Sequence, residues 1–494
     1  MTRDKYDFLV LLDSIQGIWY NTNLTRKGNI MKSFETLNPM QQQAVLHTEG
    51  PLLVLAGAGS GKTRALTHRV AYLIEEKNVS PWNILAITFT NKAAGEMRER
   101  VNGLIPQGAD SVWVSTFHSL CVRILRRFIE NLGYESSFSI YDTDDQKTLM
   151  KQIFKEREIN GKLYKERGVL GIISSAKNDL VTPEEFALES KKDGSARNQQ
   201  IAELYKEYQV RLKKNNALDF DDLLVKTVEL FESCPEVLDY YQERFRYIMV
   251  DEYQDTNTAQ FRLVSLLASK YRNICVVGDD DQSIYRFRGA KPEIMLGFEK
   301  DYPGARRVLL AENYRSSREI VETSLKLISR NQVRFKKELV PVHGSGRPVD
   351  VSVYENPLAE AEGTARRIRQ YAQAGFAFED MAVLFRTGNG TGLLAEKLME
   401  YNIPFSMRDV IPSLYGHWIA KDLMVYLELG HGSQARSDFF RIMNRPNRYF
   451  SRDAFETPLV SLDQVRDFYR DRDWMQEAVS NLVKNALDHT KEGG

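Results

Sequence analysis

A chain of 494 residues is too long for a single hydrophobic core, so we expect about three or four structural units. Hydrophobic residues make up 43% and charged residues 27%, a balance typical of folded globular proteins that excludes a disordered or fibrous chain. The 67 basic and 67 acidic side chains cancel, so binding of nucleic acid must come from local patches rather than from an overall basic surface.

Cysteine usage and apolar runs indicate the compartment. The cysteines at positions 121, 234 and 275 lack CxxC spacing, which indicates a reducing environment without structural zinc. No apolar run approaches the roughly 18 residues of a membrane span, and the run Asp7–Asp13 is too short and too acidic at its ends for a secretory signal. We therefore predict a cytoplasmic protein with no membrane partner, and treat residues 1–33 as an N-terminal extension of unassigned role.

The first predicted helix starts at Asn38 and Pro39, an N-cap residue followed by the residue type best suited to the first helical position. Gln41 lies on this helix, and its amide carries the donor and the acceptor that the edge of adenine requires. Three consecutive glutamines on a helix can equally be solvated, so both interpretations stay open.

A strand, a glycine-rich loop and a helix follow one another from Pro51 to Arg64. The apolar run Leu52–Leu55 predicts a buried strand, and the small residues after it let several backbone N–H groups point at one anion. The helix dipole adds to this attraction for phosphate, with Lys62 reaching β- and γ-phosphates and the Thr63 hydroxyl holding Mg²⁺. The candidate nucleotide-binding residues are Gln41, Ala56, Gly57, Ala58, Gly59, Ser60, Gly61, Lys62, Thr63 and Arg64. A glycine-rich turn without a ligand is the alternative.

Two more strand–helix units repeat this order, with predicted strands at Asn83–Ile87 and Val112–Val114. Alternating strands and helices predict a doubly wound parallel α/β sheet whose ligands lie at the carboxyl ends of the strands. Thr116 and His118 follow the second of these strands, and His118 either lines a DNA path or braces its loop.

Residues 120–219 change to long polar helices, which predict a helical insertion in the α/β domain. Its basic clusters, Arg123, Arg126 and Arg127 with Lys213 and Lys214, either touch phosphates or are solvated helix faces.

The α/β pattern resumes at Tyr247–Val250, and Asp251 and Glu252 follow at once. Two adjacent carboxylates at the end of a buried strand are costly unless they meet a cation, which indicates Mg²⁺. Asp251 would approach the metal, and Glu252 would orient or deprotonate an attacking water. We expect this pair and Lys62 at neighbouring strand tips of one sheet.

A fourth polar segment follows the predicted strand Ile274–Val277. Gln282 could hydrogen-bond a γ-phosphate and so sense hydrolysis. Tyr285 and Phe287 alternate with Arg286 and Arg288, a mixture suited to stacking on bases and pairing with the backbone of a single strand. Aromatic core residues with surface arginines are the alternative.

The predicted strand Val308–Leu310 leads into Tyr314 and Arg315. The aromatic ring could stack on adenine, and the guanidinium could neutralise charge on the transferred phosphoryl group.

With these segments in place, the chain resembles the superfamily 1 DNA helicases of the UvrD/Rep/PcrA type from about residue 37 to 450. The segments AGAGSGKT, ILAITFTNKAA, STFHS, LDFDDL, MVDEYQDT, GDDDQSIYRFRGA and NYRS occur in family order. The resemblance implies a RecA-like P-loop motor that hydrolyses ATP with Mg²⁺, moves 3′ to 5′ on single-stranded DNA and unwinds duplex, acting at single-strand/double-strand junctions with repair or replication partners.

The resemblance also assigns roles by position. Gln41 reads adenine, Tyr314 stacks on the base and Arg315 contacts the γ-phosphate. The metal-binding residues are Thr63 and Asp251, and the catalytic residues are Asp251, Glu252, Gln282 and Arg315. The DNA-binding residues are Phe89, Thr116, His118, Tyr285, Phe287 and Arg288, with Phe287 standing where tryptophan is common.

The implied domains are an N-terminal extension (1–33), a first RecA-like domain (34–119 and 220–315), a helical insertion (120–219), a partial second RecA-like domain (316–410) and the start of a second helical insertion (411–494). The family's later K-G-L-E-like and V-x-x-T-R-A-like motifs do not occur, so we expect a chain that ends early and lacks the arginine that the second domain usually supplies. Arg386, after a predicted strand Ala382–Phe385, is a conceivable substitute or a structural residue. An ATP- and single-strand-binding protein with little unwinding is the alternative to an active helicase.

Overall fold

The computed structural model describes residues 34–105, 108–161, 163–388, 391–407, 418–432 and 436–445. The chain divides into two compact units, Met1–Val349 and Asp350–Gly494. The predicted N-terminal extension lies outside the described residues, as does most of the predicted second insertion.

The regular elements are numbered here in chain order. The strands are β1 (Leu52–Ala56), β2 (Ile84–Thr88), β3 (Trp113–Thr116), β4 (Ser139–Tyr141), β5 (Ala217–Asp219), β6 (Tyr247–Val250), β7 (Ile274–Gly278), β8 (Arg306–Leu310), β9 (Glu312–Asn313) and β10 (Val340–Pro341). The helices of the first unit are α1 (Pro39–Leu46), α2 (Lys62–Glu75), α3 (Asn91–Leu104), α4 (Phe117–Phe128), α5 (Thr143–Glu156), α6 (Glu166–Asn178), α7 (Pro183–Lys192), α8 (Ala196–Lys214), α9 (Phe220–Ser233), α10 (Pro235–Arg244), α11 (Thr258–Ala268), α12 (Pro292–Leu296), α13 (Phe298–Asp301) and α14 (Arg318–Ile328). Those of the second unit are α15 (Pro357–Gln373), α16 (Thr391–Glu400), α17 (Trp418–Gly430) and α18 (Arg436–Ile442). Among the described residues, none of these helices is both long and apolar enough to cross a lipid bilayer.

A six-stranded sheet forms the centre of the first unit, in the order β3-β2-β6-β7-β1-β8, and its strands pair in parallel. Residues of β1, β2 and β7 are buried throughout, as expected where helices cover both faces of a parallel sheet. The predicted parallel α/β fold is therefore confirmed.

Alternation along β1 builds two separate cores. Leu53 and Leu55 face the core shared with α4, α9 and α11, whereas Leu52 and Val54 face the core shared with α2 and α3. Successive side chains of a strand point to opposite faces, so one apolar run serves both layers.

The carboxyl ends of the strands carry the predicted polar motifs, but one detail of the prediction is wrong. The phosphate loop follows β1 and the two acidic residues follow β6, and these strands are separated by β7 rather than adjacent. Two strand spacings amount to about 10 Å, a gap that a lysine and a glutamate side chain span together. At the end of β7, between the two strands, Gly278 packs against Gln254, whose Oε1 would lie 2.6 Å from an added Cβ.

The helices after β4 have a core of their own. Ile153, Ile173, Leu204 and Tyr208 come from α5, α6 and α8 and pack together in it. Strands β4 and β5 pair in parallel at the two chain ends of this helical part. The predicted domain boundaries remain predictions.

In the described part of the second unit, α15 packs on α16 through Ala361, Ala365, Leu394 and Leu398. The predicted strand Ala382–Phe385 is wrong, since this segment has no regular secondary structure. A strand needs a hydrogen-bonded neighbour, and within residues 350–388, 391–407, 418–432 and 436–445 none pairs with it.

Candidate nucleotide and catalytic site

The loop after β1 adopts the backbone that its glycines permit. Gly59 has φ +68° and Gly61 has φ +81°, both in the left-handed region that favours glycine. A Cβ at Gly59 would lie 2.6 Å from the Cβ of Arg315, and one at Gly61 would lie 2.7 Å from Nε2 of Gln41. Helix α2 then begins at Lys62, so its N-terminal N–H groups lie at the loop. This is the geometry of a phosphate-binding loop.

Three donors from two separate segments hold the carbonyl side of this loop. Gln41 Nε2 donates to the carbonyl of Ser60 at 2.9 Å. Asn313 Nδ2 donates to the carbonyl of Ala58 at 2.6 Å, and the Tyr314 N–H donates to the carbonyl of Gly59 at 3.0 Å. The N–H groups of Gly57 and Ser60 donate to the carbonyls of Leu310 and Gly57, and the other N–H groups of the loop can meet a ligand.

Gln41 is more buried and more fully hydrogen-bonded than the sequence suggests. Its side chain also accepts from the N–H of Asn38, which completes a capping box at the start of α1. The residue is buried at 2% exposure. The solvated-glutamine alternative is therefore wrong for Gln41, and its contact with adenine remains a prediction.

Lys62 and the two predicted catalytic acids meet in one cleft. The ammonium of Lys62 donates to Glu252 Oε2 at 2.7 Å. Burial, followed by the charge of Glu252, raises the pKa of Asp251 to about 6. Burial also opposes ionisation of Glu252, but the charge of Lys62, the hydrogen bonds from Gln254 and Lys62 and the charge of Arg315 together outweigh it and lower the pKa of Glu252. Glu252 is thus ionised at pH 7 and loses its proton at a lower pH than Asp251 does.

Glu252 also has an unusual backbone. Its φ of +52° places a side-chain-bearing residue in the left-handed region, which costs of order 1 to 3 kcal/mol and occurs mostly at functional sites. The turn directs the chain from β6 into the short 3-10 helix Tyr253–Asp255.

The donor set beside Lys62 fits a hard divalent cation. Asp251 is buried and its carboxyl accepts the N–H of Glu252 at 3.0 Å. The buried Oδ1 of Asp255 has no hydrogen-bond partner among the described residues, and burial raises the pKa of Asp255 to about 6. The hydroxyl of Thr63 stands one residue after Lys62. Oxygen ligands of this kind suit Mg²⁺. In the described part of the chain no cluster of three or more potential ligands forms, so phosphate and water oxygens would complete the coordination.

A chain of hydrogen bonds leads from Glu252 away from the phosphate loop. Gln254 Nε2 donates to Glu252 Oε2 at 2.8 Å, and Gln254 Oε1 accepts the N–H of Asp279 at 2.9 Å. Gln282 Nε2 then donates to Asp279 Oδ2 at 2.7 Å. The predicted sensor, Gln282, is therefore connected to Glu252, the predicted catalytic carboxylate, through Gln254 and Asp279.

An exposed aromatic strip follows Gln282. Phe287 is 74% exposed and Tyr285 39%, with ring centroids 6.0 Å apart. The guanidinium of Arg288 lies 5.2 Å from the ring of Tyr285 and 5.5 Å from that of Phe287. The alternative of core aromatics is wrong here, since exposed rings beside a cation suit stacking on bases.

The other predicted DNA contacts are less open. Thr116 is buried and caps α4, accepting from the N–H of Ser119 at 3.3 Å. Phe89 is half-buried against Phe117. The ring of His118 packs edge-on against Phe220, and burial lowers the pKa of His118. These contacts with DNA remain predictions.

Tyr314 and Arg315 lie beside the phosphate loop. Tyr314 is 40% exposed, and its hydroxyl accepts from Nδ2 of Asn38 at 2.9 Å. The charge of Arg315 contributes to lowering the pKa of Glu252. Arg64 is exposed and its guanidinium reaches Thr36 at the start of the described chain. The predicted base-stacking and γ-phosphate roles thus have their side chains at the loop.

Sequence reasoning missed several residues that shape this site. Asn313 and Gln254 use side-chain amides to hold the loop and the acidic pair, and nothing in their local sequence indicates this. Lys337 and Arg334 contact the carboxylates of Asp279–Asp281. Three consecutive aspartates after a buried strand were the available signal, because such carboxylates require a cation.

Comparisons with known proteins identify the family of this chain. The profile of the UvrD/REP helicase N-terminal domain matches residues 37–303, and that of the UvrD-like helicase C-terminal domain matches residues 308–483. Proteins named ATP-dependent DNA helicase PcrA are 48% identical in Bacillus subtilis (strain 168), 47% in Staphylococcus aureus (strain Mu50) and 46% in Staphylococcus epidermidis. The matches cover 83 to 84% of this chain and 55 to 56% of those proteins, so the chain spans little more than half the length of these relatives. With its N-terminal profile covering more than half of the sequence, the chain belongs to the UvrD/Rep helicase family.

Proposed function

We propose that this chain is an ATP-hydrolysing DNA motor that moves 3′ to 5′ along single-stranded DNA and separates duplex, with Mg²⁺ as its metal. The observation that carries the proposal is the 2.7 Å contact between Lys62 and Glu252 at the mouth of the phosphate loop, next to buried Asp251. The relatives' name, ATP-dependent DNA helicase, supports the same activity.

The charges of the cleft suit phosphoryl transfer to water. Lys62 forms its ion pair with Glu252, and the β- and γ-phosphates of ATP compete for the same ammonium. Once Lys62 turns to phosphate, Glu252 keeps the Gln254 hydrogen bond but loses the cation that lowers its pKa, so it becomes a better acceptor for a proton from the attacking water. Thr63 and Asp251 would hold Mg²⁺, which neutralises charge developing on the phosphate oxygens.

The strip of Tyr285, Phe287 and Arg288 supplies the single-strand contact. Stacking accepts every base, as a translocating motor requires. Gln282 lies between this strip and the acidic pair, so the same loop meets both the nucleotide and the strand.

The test is ATP hydrolysis by the full chain with and without single-stranded DNA. We expect DNA to stimulate turnover, and Glu252→Gln to lower the stimulated rate by about 10² to 10⁴ while nucleotide still binds, because only the proton acceptor is lost. Lys62→Ala should lose turnover as well. Unchanged hydrolysis in both variants would show that the activity comes from a contaminant.

Strand separation distinguishes the motor from the binding-only alternative. Duplexes with a 3′ tail should be unwound and those with a 5′ tail should not. A chain that binds ATP and single-stranded DNA without stimulated turnover would refute the motor and leave the alternative. Junction preference, repair or replication partners and a cytoplasmic location remain predictions.

A further inference from the structure

The loop that carries Gln282 contains three consecutive carboxylates removed from water. Strand β7 ends at Gly278, and Asp279, Asp280 and Asp281 follow with side chains 4%, 2% and 13% exposed. Like charges packed together in a low-dielectric environment are costly unless a cation and hydrogen bonds compensate them. Something in the fold must therefore neutralise this loop.

Lys337 provides that charge from a distant part of the chain. Its side chain is 1% exposed and its ammonium contacts all three carboxylates, with Asp281 Oδ2 at 3.0 Å. Burial opposes the charge on Lys337, but the carboxylates of Asp279 and Asp280 together outweigh it and raise the pKa of Lys337. The lysine is thus held as a cation.

The segment around Lys337 adds two further contacts. Arg334 makes a two-pronged contact with Asp281, including Nε to Oδ1 at 2.6 Å. The N–H of Phe335 donates to Asp280 Oδ2 at 2.8 Å. Bidentate guanidinium contacts and a backbone donor fix direction as well as charge, so the loop is held in one orientation.

Asp279 joins this cluster to the catalytic site. One oxygen of its carboxylate meets Lys337, and the other accepts from Nε2 of Gln282 at 2.7 Å. Its backbone N–H meets Gln254, which in turn donates to Glu252. Any shift of the loop therefore moves the sensor amide and loosens the support of the catalytic carboxylate together.

We propose that Lys337, assisted by Arg334, is a positioning residue that couples the nucleotide cleft to the single-strand strip by fixing the loop Asp279–Gln282. The inference rests on the proposed function. Lys337 touches neither nucleotide nor DNA, and it acts through Asp279. Removing it should disturb communication between the two sites more than either binding step.

The contrast with a second buried lysine sharpens this inference. Lys177 is also 1% exposed and contacts two carboxylates, Asp219 at 2.7 Å and Asp222 at 2.9 Å. Its cluster joins α6 to the start of α9, and the groups that its ammonium contacts are Asp219, Asp222 and the ring of Tyr208 rather than Gln282 or Gln254. Loss of either lysine should destabilise the fold, but only Lys337 should affect coupling.

The experiment compares Lys337→Met with two control variants. Lys177→Met removes an equally buried lysine and so controls for lost stability, and Lys336→Met removes the exposed lysine next to Lys337. Each full-length variant is assayed for kcat and KM of ATP hydrolysis with and without oligothymidylate, with unfolding monitored to count folded protein. We expect Lys337→Met to lower the stimulated kcat by about 10- to 100-fold, as a misplaced active-site group does. KM for ATP and the turnover without DNA should change far less. Both control variants should keep the ratio of stimulated to unstimulated kcat.

A second readout separates this inference from the proposed function. Single-strand affinity is measured by anisotropy with and without a non-hydrolysable ATP analogue, and the wild-type chain should show a shift that Lys337→Met abolishes. A wild-type chain without turnover but with this shift would refute the motor alone. If folded Lys337→Met shows the same affinity shift and the same stimulation of kcat as the wild-type chain, the inference is refuted. It is also refuted if the wild-type chain shows neither turnover nor the affinity shift.

Arg334→Met covers the case in which Lys337→Met fails to fold. Its guanidinium lies nearer the surface, at 12% exposure, and leaves the lysine in place. We expect a smaller loss of coupling in the same direction. An unchanged ratio of stimulated to unstimulated kcat in that variant would overturn the inference.

Discussion

The phosphate loop allows a sharp prediction, because two glycine-to-alanine substitutions in the same unit should act in opposite directions. Gly61 has φ +81°, and an added Cβ would lie 2.7 Å from Nε2 of Gln41. Gly95 lies inside α3, where a Cβ would have no neighbour within 4 Å outside the helix's own turns. The same methyl group is thus added to a crowded, left-handed position and to an open, helical one.

The magnitudes follow from these two environments. Holding alanine in the left-handed region costs about 1 to 2 kcal/mol. Pushing Gln41 away from the carbonyl of Ser60 breaks a buried hydrogen bond, worth about 1 to 3 kcal/mol. Gly61→Ala should therefore lower the free energy of unfolding by about 2 to 5 kcal/mol. Gly95→Ala should raise it by about 0.5 to 1 kcal/mol, since alanine loses less backbone entropy in a helix.

Urea unfolding followed by circular dichroism measures both differences, with nucleotide affinity measured in parallel. We expect the unfolding midpoint of Gly61→Ala to fall and its ATP affinity to weaken, and the midpoint of Gly95→Ala to rise with unchanged affinity. A Gly61→Ala chain as stable as the wild type would refute the argument that this loop requires a left-handed glycine packed on Gln41.

The remaining predictions concern DNA stacking, a buried ion pair and pH. Phe287→Ala should weaken single-strand affinity by about 1 to 3 kcal/mol per stacked base, measured by anisotropy, whereas Leu163→Ala, which removes another exposed apolar side chain, should not. Lys177→Met should lower the free energy of unfolding by about 3 to 5 kcal/mol because two buried carboxylates lose their cation. Lys147→Met, at the surface, should change the free energy of unfolding by no more than about 0.5 kcal/mol. Equal losses in the two variants would contradict the burial argument. Burial, then the charge of Asp219, raises the pKa of Asp221 from 3.8 to about 6. The folded state therefore holds the Asp221 proton more tightly than the unfolded state does. The contribution of Asp221 to the free energy of unfolding falls as pH rises from about 4 to 6 and then levels off. Asp221→Asn should be more stable than the wild type at pH 7 by about 1 to 3 kcal/mol and should lose that advantage near pH 4 in urea titrations.

The sequence predicted those parts of the site whose residues are contiguous. A buried strand, a glycine loop and a helix start lie within Leu52–Thr63, so local composition and periodicity were sufficient for the phosphate loop. The acidic pair after β6 and the aromatic strip after Gln282 were recognised for the same reason.

Contacts between segments that are distant along the chain could not be predicted from the sequence. The amide of Asn313 meets the carbonyl of Ala58 from 255 positions away, and Lys337 meets Asp279 from 58 positions away. Neither pairing leaves a periodic signal in the chain. The strand expected at Ala382–Phe385 failed for a related reason, because apolar composition indicates a strand only where a partner supplies hydrogen bonds.

The left-handed turn at Glu252 has a consequence for attempts to raise the thermal stability of this protein. A glycine there would relax the backbone and could raise the melting temperature, because glycine adopts the left-handed region without the steric cost that glutamate carries. The same exchange would remove the proposed proton acceptor. Selection for thermal stability at this position should therefore yield a more stable protein that lacks the group proposed for catalysis, as expected where stability and activity are in conflict.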